Sequence, residues 1–163
     1  MIDGTPRPRR ADTGQTDPLE EFYRARFPDA VRLAHLLCGD AALAEDLAQD
    51  AFDRVRVRFD ELATPWAYLR TAVVNACRSH WRQRSREQAR LRTIGVREET
   101  DLQARELLDA VDALPYRQKA VIVLRYCEDL SEQEIALVLG CRPGTVKSLA
   151  SRALARLAQE VQR

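Results

Sequence analysis

Residues 131–157 read SEQEIALVLGCRPGTVKSLASRALARL, and this stretch decides the fold class. Ser131 followed three residues later by Glu134 has the form of a capping box, which satisfies two of a helix's first orphan amides. Ile135, Val138 and Leu139 then recur at helical spacing, and Gly140 supplies a residue able to leave the helix with positive φ. Pro143-Gly144-Thr145 opens a second helix, whose apolar set is Val146, Leu149, Ala153, Leu154 and Leu157. A short helix, a tight glycine turn and a second helix make a helix-turn-helix. The second helix offers Thr145, Lys147, Ser148, Ser151 and Arg152, short polar and cationic groups of the kind that reach base edges and phosphates. An ordinary helical hairpin shares the apolar pattern; the basic second helix favours DNA binding.

Working outward, Leu107, Leu108, Val111 and Leu114 mark a helix ended by Pro115, which can open the next, with Ala120, Val121, Val123 and Leu124 inward. Residues 88–101 (QARLRTIGVREETD) lose the period and read as a flexible linker. Before it, Phe22, Ala25, Val31, Ala34 and Leu37 mark a first helix, interrupted near Pro28. Gly39-Asp40 separates it from a second, in which Leu43, Leu47 and Ala51 form an apolar stripe and Glu45, Asp46, Gln49, Asp50 and Asp53 lie outside it. A third helix starts at Thr64-Pro65, with Thr64 as N-cap and Pro65 at the first helical position. It buries Trp66, Leu69, Val73, Ala76 and Cys77, and Trp81 reads as core, with stacking on a base as the alternative. The expectation is an all-α protein: a disordered polar tail (1–17), a helical domain (18–87), a linker (88–101) and a second helical domain (102–163). Only 6 glycines, 7 prolines and 6% aromatics in 163 residues agree with helices over many short strands.

No apolar run approaches the ~18–20 residues that cross a bilayer, and the first residues hold no hydrophobic stretch of a secretory signal. A cytoplasmic protein without a membrane partner is expected. Cys38, Cys77, Cys127 and Cys141 are widely spaced, without CxxC or a Cys/His cluster, and read as reduced, buried structural thiols. No metal, cofactor or small-molecule substrate is indicated. A nucleic-acid enzyme would need a P-loop, a zinc signature or a carboxylate cluster, and the chain has none of these motifs.

The net charge of +1 conceals a segregation. Asp40–Glu61 carries seven acids against three arginines; Trp66–Arg92 carries seven arginines against one glutamate; Arg142–Arg163 carries five bases against one glutamate. Solvated faces explain one such patch easily and three less easily. A polyanion touched at two places and a protein partner at the acidic helix explain all three. On the third helix, at roughly 100° per residue, Asn75, Arg78, Ser79 and Arg82 share a face with Tyr68 on its border, a mixture suited to unpaired bases.

Three stretches carry a family resemblance: GDAALAEDLAQDAF (39–52), WAYLRTAVVNACRSHWRQRSR (66–86) and ALPYRQKAVIVLRYCEDLSEQEIALVLGCRPGTVKSLASRALARL (113–157). In this order they resemble a bacterial sigma factor of the extracytoplasmic-function group, with only regions 2 and 4 and closest in character to the SigE-like actinobacterial subgroup. The resemblance implies a protein that makes no bonds itself, binds core RNA polymerase and directs initiation. Glu45, Asp46, Gln49 and Asp50 would dock on the β′ clamp helices, with the β flap as a further contact. Tyr68, Asn75, Arg78, Ser79 and Arg82 would hold the opened −10 strand. Arg142, Thr145, Lys147, Ser148, Ser151 and Arg152 would meet the −35 major groove, and an anti-sigma factor is a compatible partner. Arg142 departs from the family's Ser-type cap, at an expected ~0.5–2 kcal/mol of helix stability. The linker's fourteen residues reach at most ~50 Å, and promoter boxes two helical turns apart lie ~70 Å from each other. The lobes' own width must supply the rest, so both can be straddled only if the linker is open, not folded back. The competing reading is a helix-turn-helix regulator with a helical sensor domain, binding duplex DNA without polymerase.

Overall fold

The computed structural model describes residues 17–90 and 109–161. The tail before Asp17 and most of the stretch read as linker lie outside the described residues, as do Leu107 and Leu108. The described elements are α1 (Pro18–Cys38), α2 (Ala41–Arg58), a 3₁₀ turn (Phe59–Glu61), α3 (Pro65–Arg90), helical residues 109–112 (α4), α5 (Tyr116–Tyr126), α6 (Glu132–Leu139) and α7 (Pro143–Val161). No strand occurs among the described residues. Helices α1–α3 pack as one lobe and α5–α7 as a second.

Local chemistry explains most boundaries. The Asp17 carboxylate accepts from the Leu19 amide and Pro18 fills a position that needs no donor. Gly39 ends α1 in the left-handed region, φ 76°, and its amide donates to the His35 carbonyl. Asp40 then caps α2 by accepting from Leu43 at 2.9 Å. Both arms of the Ser131–Glu134 capping box form, and they hold the Glu134 carboxyl below its ordinary range.

Pro28 does not interrupt α1, contrary to the sequence expectation. A mid-helix proline costs roughly 3 kcal/mol through a lost hydrogen bond and a ring clash. Here Pro28 and Arg24, whose carbonyl loses its partner, both face solvent, where water can satisfy it. The opposite side is held by rings: Tyr23 stacks on Phe27 at 4.6 Å and meets Phe52 of α2 edge-on at 4.6 Å. Buried Ala30, Leu33, Ala34 and Leu37 continue the same face.

The principal core runs from α1–α3 into α5–α7. Val74 and Ala72 of α3 are buried as well as Leu69, Val73 and Cys77, because α3 is covered from two sides. Most of α5 is buried, including Lys119, whose ammonium pairs with Asp112. Three sequence assignments are corrected. Trp81 is 44% exposed, since it lies where the two lobes meet. Leu154 is also exposed, on the outer side of α7. Of the thiols, only Cys77 is fully buried; Cys38 and Cys141 are half-buried and Cys127, at the end of α5, is exposed.

Candidate nucleic-acid interface

The turn between α6 and α7 forms as its residues dictate. Gly140 adopts φ 60°, where an L-residue is disfavoured, and its amide donates back to α6. Arg142 offers no side-chain cap, but its carbonyl accepts from Thr145 at 2.9 Å and Val146 at 3.3 Å, while Pro143 needs no partner. Buried Val146, Leu149, Ala150 and Ala153 fix the rotation of α7. That rotation exposes Arg142, Lys147, Ser148, Ser151 and Arg152, with Thr145 half-buried. Arg142, Lys147 and Arg152 have no ion-pair partner among the described residues. The Ser148 hydroxyl donates to the Gly144 carbonyl at 3.0 Å, so its oxygen faces solvent as an acceptor.

On α3, Asn75, Ser79 and Arg82 are exposed, while Tyr68 and Arg78 are half-buried. The guanidinium of Arg58 lies 5.8 Å from the Tyr68 ring centre. Trp66 is flanked by Arg26 at 5.3 Å and Arg70 at 5.2 Å. These cation–π contacts extend the cationic-aromatic surface onto α1 and the end of α2. Arg26 and Arg58 carry no signal in the sequence, because tertiary packing alone brings them beside α3. Arg78, by contrast, turns from the open face toward the second lobe. It lines a slot of about 390 Å³ with Trp81, Arg82, Pro115, Arg117 and Leu149.

On α2, Glu45, Asp46, Gln49 and Asp50 are exposed on one side of the helix, over buried Ala44, Ala48 and Ala51. Gln49 accepts a 3.4 Å hydrogen bond from the Tyr23 hydroxyl. Glu45, Asp46 and Asp50 have no ion-pair partner among the described residues, so their charge is available to a cationic partner. No group of three or more metal-ligating side chains occurs among the described residues, and none of their helices is long and apolar enough to cross a membrane.

Fold and surface together define a two-lobed, all-helical protein of the helix-turn-helix class, with an acidic helix on one lobe. Comparison with known proteins carries this further. The Sigma-70 region 2 family matches residues 22–87, and Sigma-70, region 4 matches residues 104–157. An RNA polymerase sigma-E factor of Streptomyces avermitilis is 36% identical over 157 residues, 91% of this chain and 88% of that protein. Sigma factor SigV of Bacillus subtilis is 31% identical over 147 residues, 85% and 83% of the two chains. Among solved structures, the sigma factor RpoE in complex with the anti-sigma factor NepR from Bartonella quintana matches with a TM-score of 0.71 at 25% identity. That match covers 88% of this chain and 96% of the other. The chain belongs to the sigma-70 family of RNA polymerase sigma factors, in its extracytoplasmic-function group.

Proposed function

We propose that this chain acts in the cytoplasm, without catalysing a reaction of its own, as the specificity subunit of RNA polymerase. Its acidic α2 face, through Glu45, Asp46, Gln49 and Asp50, docks on cationic groups of the β′ clamp helices. Tyr68, Asn75, Arg78, Ser79 and Arg82 hold the displaced strand at the −10 element. Extruding a base costs a few kcal/mol, and a surface already shaped for unpaired bases offsets that cost and drives opening. Arg142, Thr145, Lys147, Ser148, Ser151 and Arg152 enter the −35 major groove, mostly on phosphates, with specificity from the fewer base contacts. Residues 18–87 and 102–163 form the two functional domains, with 88–101 as their linker. Its regulatory partner is of the anti-sigma class.

The observation that carries this reading is the coexistence of an acidic helix face, on which Glu45, Asp46 and Asp50 have no ion-pair partner among the described residues, with two separate cationic surfaces, one of them on a helix-turn-helix. A regulator that binds duplex DNA alone has no use for the acidic face. Run-off transcription with purified core polymerase on a promoter library tests it. The chain should select a promoter class, and Arg152→Ala should reduce transcription from promoters that depend on −35 while core binding persists. Failure to confer initiation on any template would sink the reading.

A further inference from the structure

The slot beside Arg78 gathers positive charge without an answering negative one. Its volume of about 390 Å³ falls within the ~300–1,000 Å³ of small-molecule pockets. Arg78 and Arg82 of α3 line one side and Arg117 of α5 the other, and no carboxylate lines it. None of the three arginines has an ion-pair partner among the described residues. Guanidiniums gathered in this way repel one another, and a polyanion set between them relieves the repulsion. The neighbouring cleft of about 470 Å³ is less suited, because Asp112 lines it and already pairs with Lys119.

The start of α5 adds to the same field. Pro115, Tyr116 and Arg117 line the slot at that helix's N-terminus. Pro115 stands at the N-cap with no side-chain hydrogen bond to the first turn, and that turn holds no acid. The positive end of the helix is therefore left to the slot, where uncapped amides favour phosphate oxygens.

Gln118 asks for more than phosphate. It lines the slot at 6% exposure, and its side-chain oxygen has no hydrogen-bond partner. That oxygen gave up its bond to water on folding, and an N–H donor seated in the slot would restore one. The remaining walls are the ring of Trp81, 44% exposed, and the buried side chain of Leu149. An aromatic ring that carries N–H groups and is joined to phosphates meets all of these demands. It stacks on the indole, donates to Gln118 and sets its charge among the arginines. A purine nucleotide has this chemistry, since guanine and adenine both present exocyclic N–H donors. A sugar phosphate would leave the indole and Leu149 idle.

We propose that the slot binds a purine nucleoside di- or triphosphate, its phosphates at Arg78, Arg82, Arg117 and the start of α5, its base between Trp81 and Gln118. Binding requires only the chain itself. One consequence rests on the proposed −10 role of Arg78 and Arg82: a bound nucleotide and an opened strand compete for them.

Equilibrium dialysis of the full chain with GTP and with ATP tests the site, with pyrophosphate as the probe that lacks a base and tryptophan emission as a local reporter. The wild type should bind one nucleotide per chain with quenched emission, and pyrophosphate at least about tenfold more weakly. Gln118→Met keeps the shape and removes the acceptor. It should weaken nucleotide binding about tenfold and leave pyrophosphate unchanged, a split that a merely structural glutamine would not give. Arg117→Ala should weaken both probes about tenfold. Trp81→Phe should keep nucleotide binding within about threefold and lose the quench. A wild type without saturable nucleotide binding up to ~1 mM overturns the site even if the variants fail to fold. So does pyrophosphate that binds as tightly as GTP, or a quench that survives Trp81→Phe. Single-stranded oligodeoxyadenylate that binds more tightly than either nucleotide, and loses that advantage in Gln118→Met, would assign the slot to DNA and likewise overturn it. If GTP and the oligonucleotide both bind without competing, the −10 role of Arg78 and Arg82 falls and the nucleotide site stands.

Discussion

Asp50 stands exposed on α2 with no ion-pair partner among the described residues, so its charge is available to a cationic partner. If that charge meets the clamp helices, Asp50→Arg places like against like and should weaken capture of core polymerase by at least about tenfold. A pull-down at unchanged strength would make the acidic face mere solvation. The thiols supply a second residue-scale test. Burial pushes the Cys77 thiol up to about 12 and also raises that of Cys38, so both are protonated and sluggish at neutral pH. Exposed Cys127 should be alkylated first and Cys77 only on unfolding, as peptide mapping of a timed reaction would show. Tyr116 follows the same logic: burial pushes its phenol above the ordinary range, keeping the proton that Val74 accepts through neutral pH.

Elements form here largely by local rules, and their boundaries can be tested as such. Gly140 sits at φ 60° with open space around it, so an added methyl meets no neighbour and the cost of Gly140→Ala is conformational. Chemical denaturation should show a loss of about 1–2 kcal/mol. At the other end of α6, the Glu134 carboxyl is held below its ordinary value by Ser131. A depressed carboxylate stabilises the fold above its unfolded pKa, about 4.3, and that contribution fades as pH falls through the folded value. The α6 cap therefore weakens in acid, and Glu134→Gln should flatten that part of the acid unfolding curve. These boundaries were legible because caps, glycine turns and 3.6-residue periodicity act within a few residues. Pro28 defeated the same reasoning: its local penalty was real, but the ring cluster of Tyr23, Phe27 and Phe52 outweighed it.

At the scale of the whole molecule, a formal charge of +1 divides into an acidic helix and two cationic surfaces. The fold keeps the acidic helix open while it brings the cationic lobes together across a seam. Trp81 shows what that does to a single residue. Its helical position looked inward, yet its ring lies at the seam, half in solvent and against Tyr116. The candidate −10 set divides in the same way: Asn75, Ser79 and Arg82 stay open, whereas Arg78 turns into the slot between the lobes.

The amino-acid order alone determined the helical class, the helix-turn-helix and the helix that bears the acids, because side-chain periodicity and capping are set by neighbours along the chain. Only the tertiary structure decided that Tyr116 reaches Val74, 42 positions away, and that Arg70 finds Glu128, 58 positions away. Such pairs leave no mark in local sequence: each partner is an ordinary residue in its own helix, and their meeting depends on how two amphipathic lobes bury their remaining apolar faces against each other.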